Sequence, residues 1–120
     1  MNSIAYDKAY LFAIRIVKLN KFLVKNKEFT LSNQILRSGT SIGANLAEAN
    51  GGISISDFSS KVSIAFKECR ETRYWLSLLK DTDYISQEQF DSIDTDAEEI
   101  SKILFAILKT TSRVKKKNQT

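Results

Sequence analysis

The chain has 120 residues, no histidine, no proline and one cysteine, Cys69. The missing histidine removes the commonest general acid-base and the commonest neutral nitrogen ligand for a metal, and a lone cysteine permits neither an intrachain disulfide nor a cysteine-rich zinc site. With 42% hydrophobic and 27% charged residues, only four glycines and a net charge of +4, the composition suits one domain built from long helices and argues against an all-β chain.

The first predicted helix spans about 3–25. Ile4, Leu11, Ile14, Leu19 and Phe22 alternate with Phe12, Ile16 and Leu23, an apolar arc wider than one helix–helix seam requires. Lys8, Arg15, Lys18 and Lys25 recur at spacings of seven, three and seven and form a basic stripe, with Lys21 beside it. Asp7, Lys8 and Arg15 interrupt the apolar runs, so neither a signal-peptide layout nor a membrane span is expected. The expected location is the cytoplasm, with no membrane partner.

The second helix is predicted over 31–49, with Thr30 as N-cap. Leu31, Ile35, Ile42 and Leu46 line one face, and Asn50-Gly51-Gly52 predicts a left-handed end. Gly39 and Gly43 stand inside this helix, each costing about 1 kcal/mol relative to alanine. Their spacing predicts close approach of a second helix. Gln34, Arg37, Ser41, Asn45 and Glu48 form a polar stripe along it. The stripe reads either as a strip for phosphate or RNA or as a network between helices or subunits, and the network is the favoured reading. Glu68 and Glu71 would be acceptors for Arg37, and Arg70 or Arg73 would meet Glu48.

The third helix is predicted over 57–80 and capped by Ser56. Phe58, Val62, Ala65, Cys69, Thr72, Leu76 and Leu79 step by four and three, a heptad seam. Trp75 lies off that seam and suggests a further contact. Arg73-Tyr74-Trp75 mixes a cation with two aromatics, a combination that packs at contacts more often than it stacks on bases.

The fourth helix is predicted over 87–114, opened by a capping box of Ser86 and Gln89. Phe90, Ile93, Ala97, Ile100, Leu104 and Ile107 line it. Acids crowd residues 81–99, while Lys109, Arg113, Lys115, Lys116 and Lys117 make the end basic. Residues 115–120 are expected to fray.

Short links predict an antiparallel up-down-up-down bundle, one domain over 1–114. The acidic start of the fourth helix should lie near Lys21 and Lys25, and its basic end near Lys8. Surplus apolar surface predicts a homo-oligomer. Glu68 and Glu71 make a poor catalytic or metal-binding pair without histidine, so no enzyme, cofactor or metal is expected. The nucleic-acid candidates are the stripe Lys8, Arg15, Lys18, Lys21 and Lys25 and the end Lys109, Arg113 and Lys115–Lys117. Their binding to RNA or DNA would be non-specific and salt-sensitive.

The segment QILRSGTSIGANLAEA, Gln34 to Ala49, resembles the signature of the bacterial four-helix-bundle family named after the 23S ribosomal RNA intervening sequence protein. DFSSKVSIAFKECRETRYWLSLL, Asp57 to Leu79, is similar to the block that follows it there. The resemblance implies a four-helix bundle, assembly into a ring-like pentamer and no enzymatic activity. A distinct branch, the accessory variability determinant of diversity-generating retroelements, implies by distant analogy alone a nucleic-acid and reverse-transcriptase partner. Ala49 departs from the glycine common in the family at that place.

Overall fold

The computed structural model describes residues 3–52 and 54–119, with side chains described over 4–52 and 54–114. Four helices follow in order: α1 (Ser3–Lys25), α2 (Thr30–Asn50), α3 (Ile55–Asp81) and α4 (Gln87–Gln119). The described residues contain no strand. Each helix packs on the next, and α4 closes back on α1 along the loosest of the four seams. Contacts such as Arg15 with Asp96, Arg37 with Glu68 and Arg73 with Asp94 run antiparallel across their seams.

The helix ends depart from the sequence reading in instructive ways. Thr30 lies inside α2 rather than capping it, and Phe29 at the cap position offers no side-chain acceptor. Glu28 serves instead. Its Oε1 accepts the Ser32 N–H at 2.7 Å, and Ser32 Oγ donates to the Glu28 carbonyl at 2.8 Å. A carboxylate at this end also suits the helix dipole. For α3 the cap is Ser54, not Ser56: its Oγ accepts the Asp57 N–H at 3.0 Å. The capping box of α4 forms as expected, Ser86 N–H to Gln89 Oε1 at 2.8 Å and Gln89 N–H to Ser86 Oγ at 3.1 Å. The backbone of α4 then runs helical past residue 114, to Gln119.

Left-handed residues close α1 and α3, and they are not glycines. Lys27 and Asp83 both have φ of 65°. After each, the next amide reaches back five residues: Glu28 N–H to the Leu23 carbonyl and Tyr84 N–H to the Leu79 carbonyl, both 2.9 Å. Gly51, expected to be left-handed, has φ −94° and ψ 5°. There α2 ends by tightened bonds, Gly51 N–H to Glu48 and Gly52 N–H to Ala49.

Phe12, Ile16, Leu23, Ile35, Ile42, Leu76, Leu79, Ile100 and Leu104 are fully buried and form the centre of the core. Each such side chain contributes about 1.5–3 kcal/mol by leaving water. The α3 seam is buried from Val62 to Leu79, as its heptad spacing predicts. On α1 the inward face is Ala5, Ala9, Phe12, Ile16 and Leu23, while Ile4, Leu11, Ile14 and Phe22 face outward.

The glycines explain that choice. A Cβ on Gly43 would lie 3.7 Å from the backbone of Ala9, so small residues on both helices let them come close. A Cβ on Gly39 would lie 2.7 and 2.8 Å from the two Cγ atoms of Ile16. Ile16 is buried and β-branched, so it has no room to yield. Gly39→Ala should therefore cost about 1–3 kcal/mol. Gly43→Ala should be neutral or stabilise by up to about 1 kcal/mol, since it gains helix propensity in ordinary van der Waals contact. Urea unfolding of the two variants measures both; equal effects would refute the account.

Candidate functional site

The polar stripe of α2 meets α3, but only part of it crosses the seam. Arg37 Nη1 donates to Glu68 Oε2 at 3.2 Å, and Nη2 binds Glu71. Glu71 Oε2 also accepts the Trp75 indole N–H at 3.0 Å. Burial works to lower the Arg37 pKa, yet the bonds and charges of Glu71 and Glu68 outweigh it and hold the guanidinium above its ordinary value. Four residues of the sequence reading, Arg37, Glu68, Glu71 and Trp75, thus converge within one chain.

The remaining stripe residues turn elsewhere. Ser41 Oγ donates to the Arg37 carbonyl at 2.6 Å and Asn45 Nδ2 to the Ser41 carbonyl at 2.8 Å, so both bond their own helix. Gln34 is exposed one turn before Arg37. Glu48 pairs with Lys61 at 3.5 Å rather than with Arg70 or Arg73. The reason is height along the antiparallel seam: Arg37 already sits opposite Glu68 and Glu71, which places Glu48 near the start of α3. Beneath this surface Thr72 Oγ1 donates to Ser38 Oγ at 2.9 Å, a buried hydroxyl pair.

Arg73 belongs to the α3–α4 seam. Its Nε and Nη2 donate to the two oxygens of Asp94, each at 2.9 Å, and Glu98 lies at 3.4 Å. The bond with Asp94 raises the Arg73 pKa above its usual value against the opposing effect of burial. Cys69, on the same seam, is fully buried and donates to the Ala97 carbonyl. Burial pushes its thiol up to about 11.

The basic stripe of α1 is divided. Lys8 pairs with Glu99, and that bond raises its pKa. Arg15 donates to Asp96 at 2.7 Å and to the carbonyl and hydroxyl of Ser92 at 3.1 and 2.8 Å. Lys18 borders a groove of about 590 Å³ shared with Phe22, Glu88 and Gln89. Lys21 and Lys25 are exposed and make no ion pair among the described residues. Asp96 and Glu99 of α4 therefore pair with Arg15 and Lys8, nearer the start of α1 than the expected Lys21 and Lys25, and Lys8 faces Glu99 rather than the basic end of α4. Lys109 Nζ lies 5.5 Å from the Phe105 ring centroid, and Arg113 is exposed. The side chains of Lys115, Lys116 and Lys117 lie outside the described residues.

Sequence reasoning missed Glu28, because a cap lying before its helix looks like loop. It also missed Asp94 and Ser92, which look like ordinary members of an acidic run. Among the described residues no group of three His, Cys, Asp or Glu side chains could hold a metal, and no helix is long and apolar enough to cross a membrane.

A four-helix array with an apolar interior and most of its ion pairs along its seams defines the class: an all-α bundle protein. Within that class the chain belongs to the 23S rRNA-intervening sequence protein family, whose family model matches residues 1–106. It is similar to a solved protein of unknown function from the S23 ribosomal protein family of Bacteroides thetaiotaomicron VPI-5482. The two share 56% identity over 88% of this chain and 98% of the other, with a TM-score of 0.87. A search of the curated proteins finds no match.

Three outcomes follow from the site geometry. Arg73→Ala strands Asp94, whose side chain is only 16% exposed, and should lower stability by about 2–3 kcal/mol. Arg37→Ala, at a half-exposed pair, should cost no more than about 1 kcal/mol; urea titrations give the ranking. Cys69 should resist a thiol reagent at neutral pH in the native protein and react once the chain is unfolded. Prompt native-state labelling would contradict its burial.

Proposed function

We propose that this chain is a non-catalytic, self-assembling adaptor. The observation that carries the reading is the outer face of α1. Half of the large exposed apolar side chains among the described residues lie on this one helix. Leu11 is 63% exposed and Tyr10 56%, and Ile14, Val17, Phe22 and Val24 extend the patch. A helix that is apolar on both sides needs a second partner surface. A second copy of the chain is the simplest one, and the family resemblance favours a ring-like pentamer.

The net positive charge supports non-specific nucleic-acid binding as the adaptor's second contact, through cations left unmatched by acids. The neutralisation of Lys8 by Glu99 and of Arg15 by Asp96 favours a protein partner for the face of α1 itself. A purely protein-binding module is accordingly the second reading.

The test is the variant carrying Tyr10→Glu and Leu11→Glu. Both positions are exposed, so circular dichroism should remain helical. Sedimentation should show a smaller species than the wild type. An unchanged oligomer, or a monomeric wild type, would remove the assembly reading.

A further inference from the structure

The sequence places the nucleic-acid candidates on α1 and at the end of α4, yet among the described residues α3 also joins exposed cations to an exposed aromatic surface. On the α3–α4 side Arg73, Lys80 and Lys102 are matched by Asp94, Asp81 and Glu98. Lys67 and Arg70, one turn apart on the outer face of α3, make no ion pair among the described residues. One turn further on stands Tyr74, 60% exposed. Its ring meets Trp75 edge-on, with centroids 5.0 Å apart and planes at 73°. Trp75 is itself fixed by its hydrogen bond to Glu71. The tyrosine is thus an aromatic face braced from one side and open on the other.

Beside it is a notch of about 390 Å³ lined by Arg70, Arg73, Tyr74, Ser77, Phe90 and Asp94. The Asp94 charge is met by the bidentate Arg73, and Lys80 Nζ lies 4.4 Å from the Phe90 centroid. The notch therefore offers two aromatic walls, a hydroxyl and an unmatched guanidinium.

We propose that the outer face of α3 binds single-stranded nucleic acid, one base stacking on Tyr74 while Arg70 and Lys67 neutralise the flanking phosphates. The proposal rests on the nucleic-acid part of the proposed function and gives it a place and a strand preference. A base has a flat face to offer the ring, and only an unpaired strand has that face free. Phosphates repeating along the strand match cations repeating along one helix face. An acidic peptide would use the cations but leave the ring without a matching surface.

The experiment is fluorescence anisotropy with a labelled oligouridylate and with a duplex of equal length, at about 50 and 200 mM salt. Tyr74→Ala should weaken single-strand binding roughly ten-fold and leave duplex binding unchanged, whereas Tyr74→Phe should bind like the wild type. Arg70→Ala should weaken binding and flatten the salt dependence. Wild-type binding that Tyr74→Ala and Arg70→Ala leave intact would overturn this site while sparing the nucleic-acid reading. No wild-type binding at low salt would remove both. Equal loss of polyglutamate binding in Tyr74→Ala would overturn the proposal in favour of an acidic protein. A smaller oligomer for Tyr74→Ala in sedimentation would make Tyr74 a subunit contact and overturn it as well.

Discussion

Ile16 resting over Gly39 sets the separation of α1 and α2. With the helices that close, the inward face of α1 near its start has room only for alanines, Ala5 and Ala9, opposite Gly43. Bulkier residues nearby, Ile4, Leu11 and Ile14, are turned outward. The apolar exterior of α1 is therefore a consequence of tight packing within the chain and, at the same time, the surface on which assembly would depend. Helix propensity given up at Gly39 is recovered as room for the buried Ile16 side chain.

Polar groups obey a similar division. The interior of the bundle is apolar apart from a few hydroxyls, such as Ser38 with Thr72 and Ser32 with the Glu28 carbonyl, each of which has a hydrogen-bond partner. Among the described residues no buried side-chain nitrogen or oxygen lacks a partner. Ion pairs run along the seams, where one side stays wet and the desolvation cost is small. Arg73 with Asp94 is the most enclosed of them, and it anchors α4 to α3 close to the notch beside Tyr74.

The four helices were legible because periodicity reports burial directly. The heptad of α3 is buried as spaced, and the capping box of α4 closes as its residues imply. Caps of α2 and α3 were misplaced by a residue or two because several serines, threonines and acids compete at each start. The left-handed end expected at Gly51 does not form because glycine permits that conformation without requiring it, while Lys27 and Asp83 adopt it where the next amide returns to close the helix. On α1 the pattern showed surplus apolar residues but not which of them point inward, since that depends on a glycine in another helix. Charge was readable in amount only. Whether a lysine is available or already matched depends on relative height across a seam, as Lys8 and Lys67 illustrate from opposite sides.

The length of α4 has a consequence for symmetry. Lys8 stands opposite Glu99, so the start of α1 lies level with a point near residue 104 of α4. Beyond it α4 continues for several turns, meeting Ser59 through Thr111 and bordering a hollow shared with Gly52 and Ile55. The molecule measures 55 × 22 × 21 Å, about the length of this one helix at 1.5 Å per residue. One end therefore carries a ledge and the other does not, which gives each protomer a direction. A closed ring of parallel protomers would gather every ledge on one face, whereas an antiparallel pair would carry one at each end. The first is a body with two unlike sides, able to present a different surface to each of two partners.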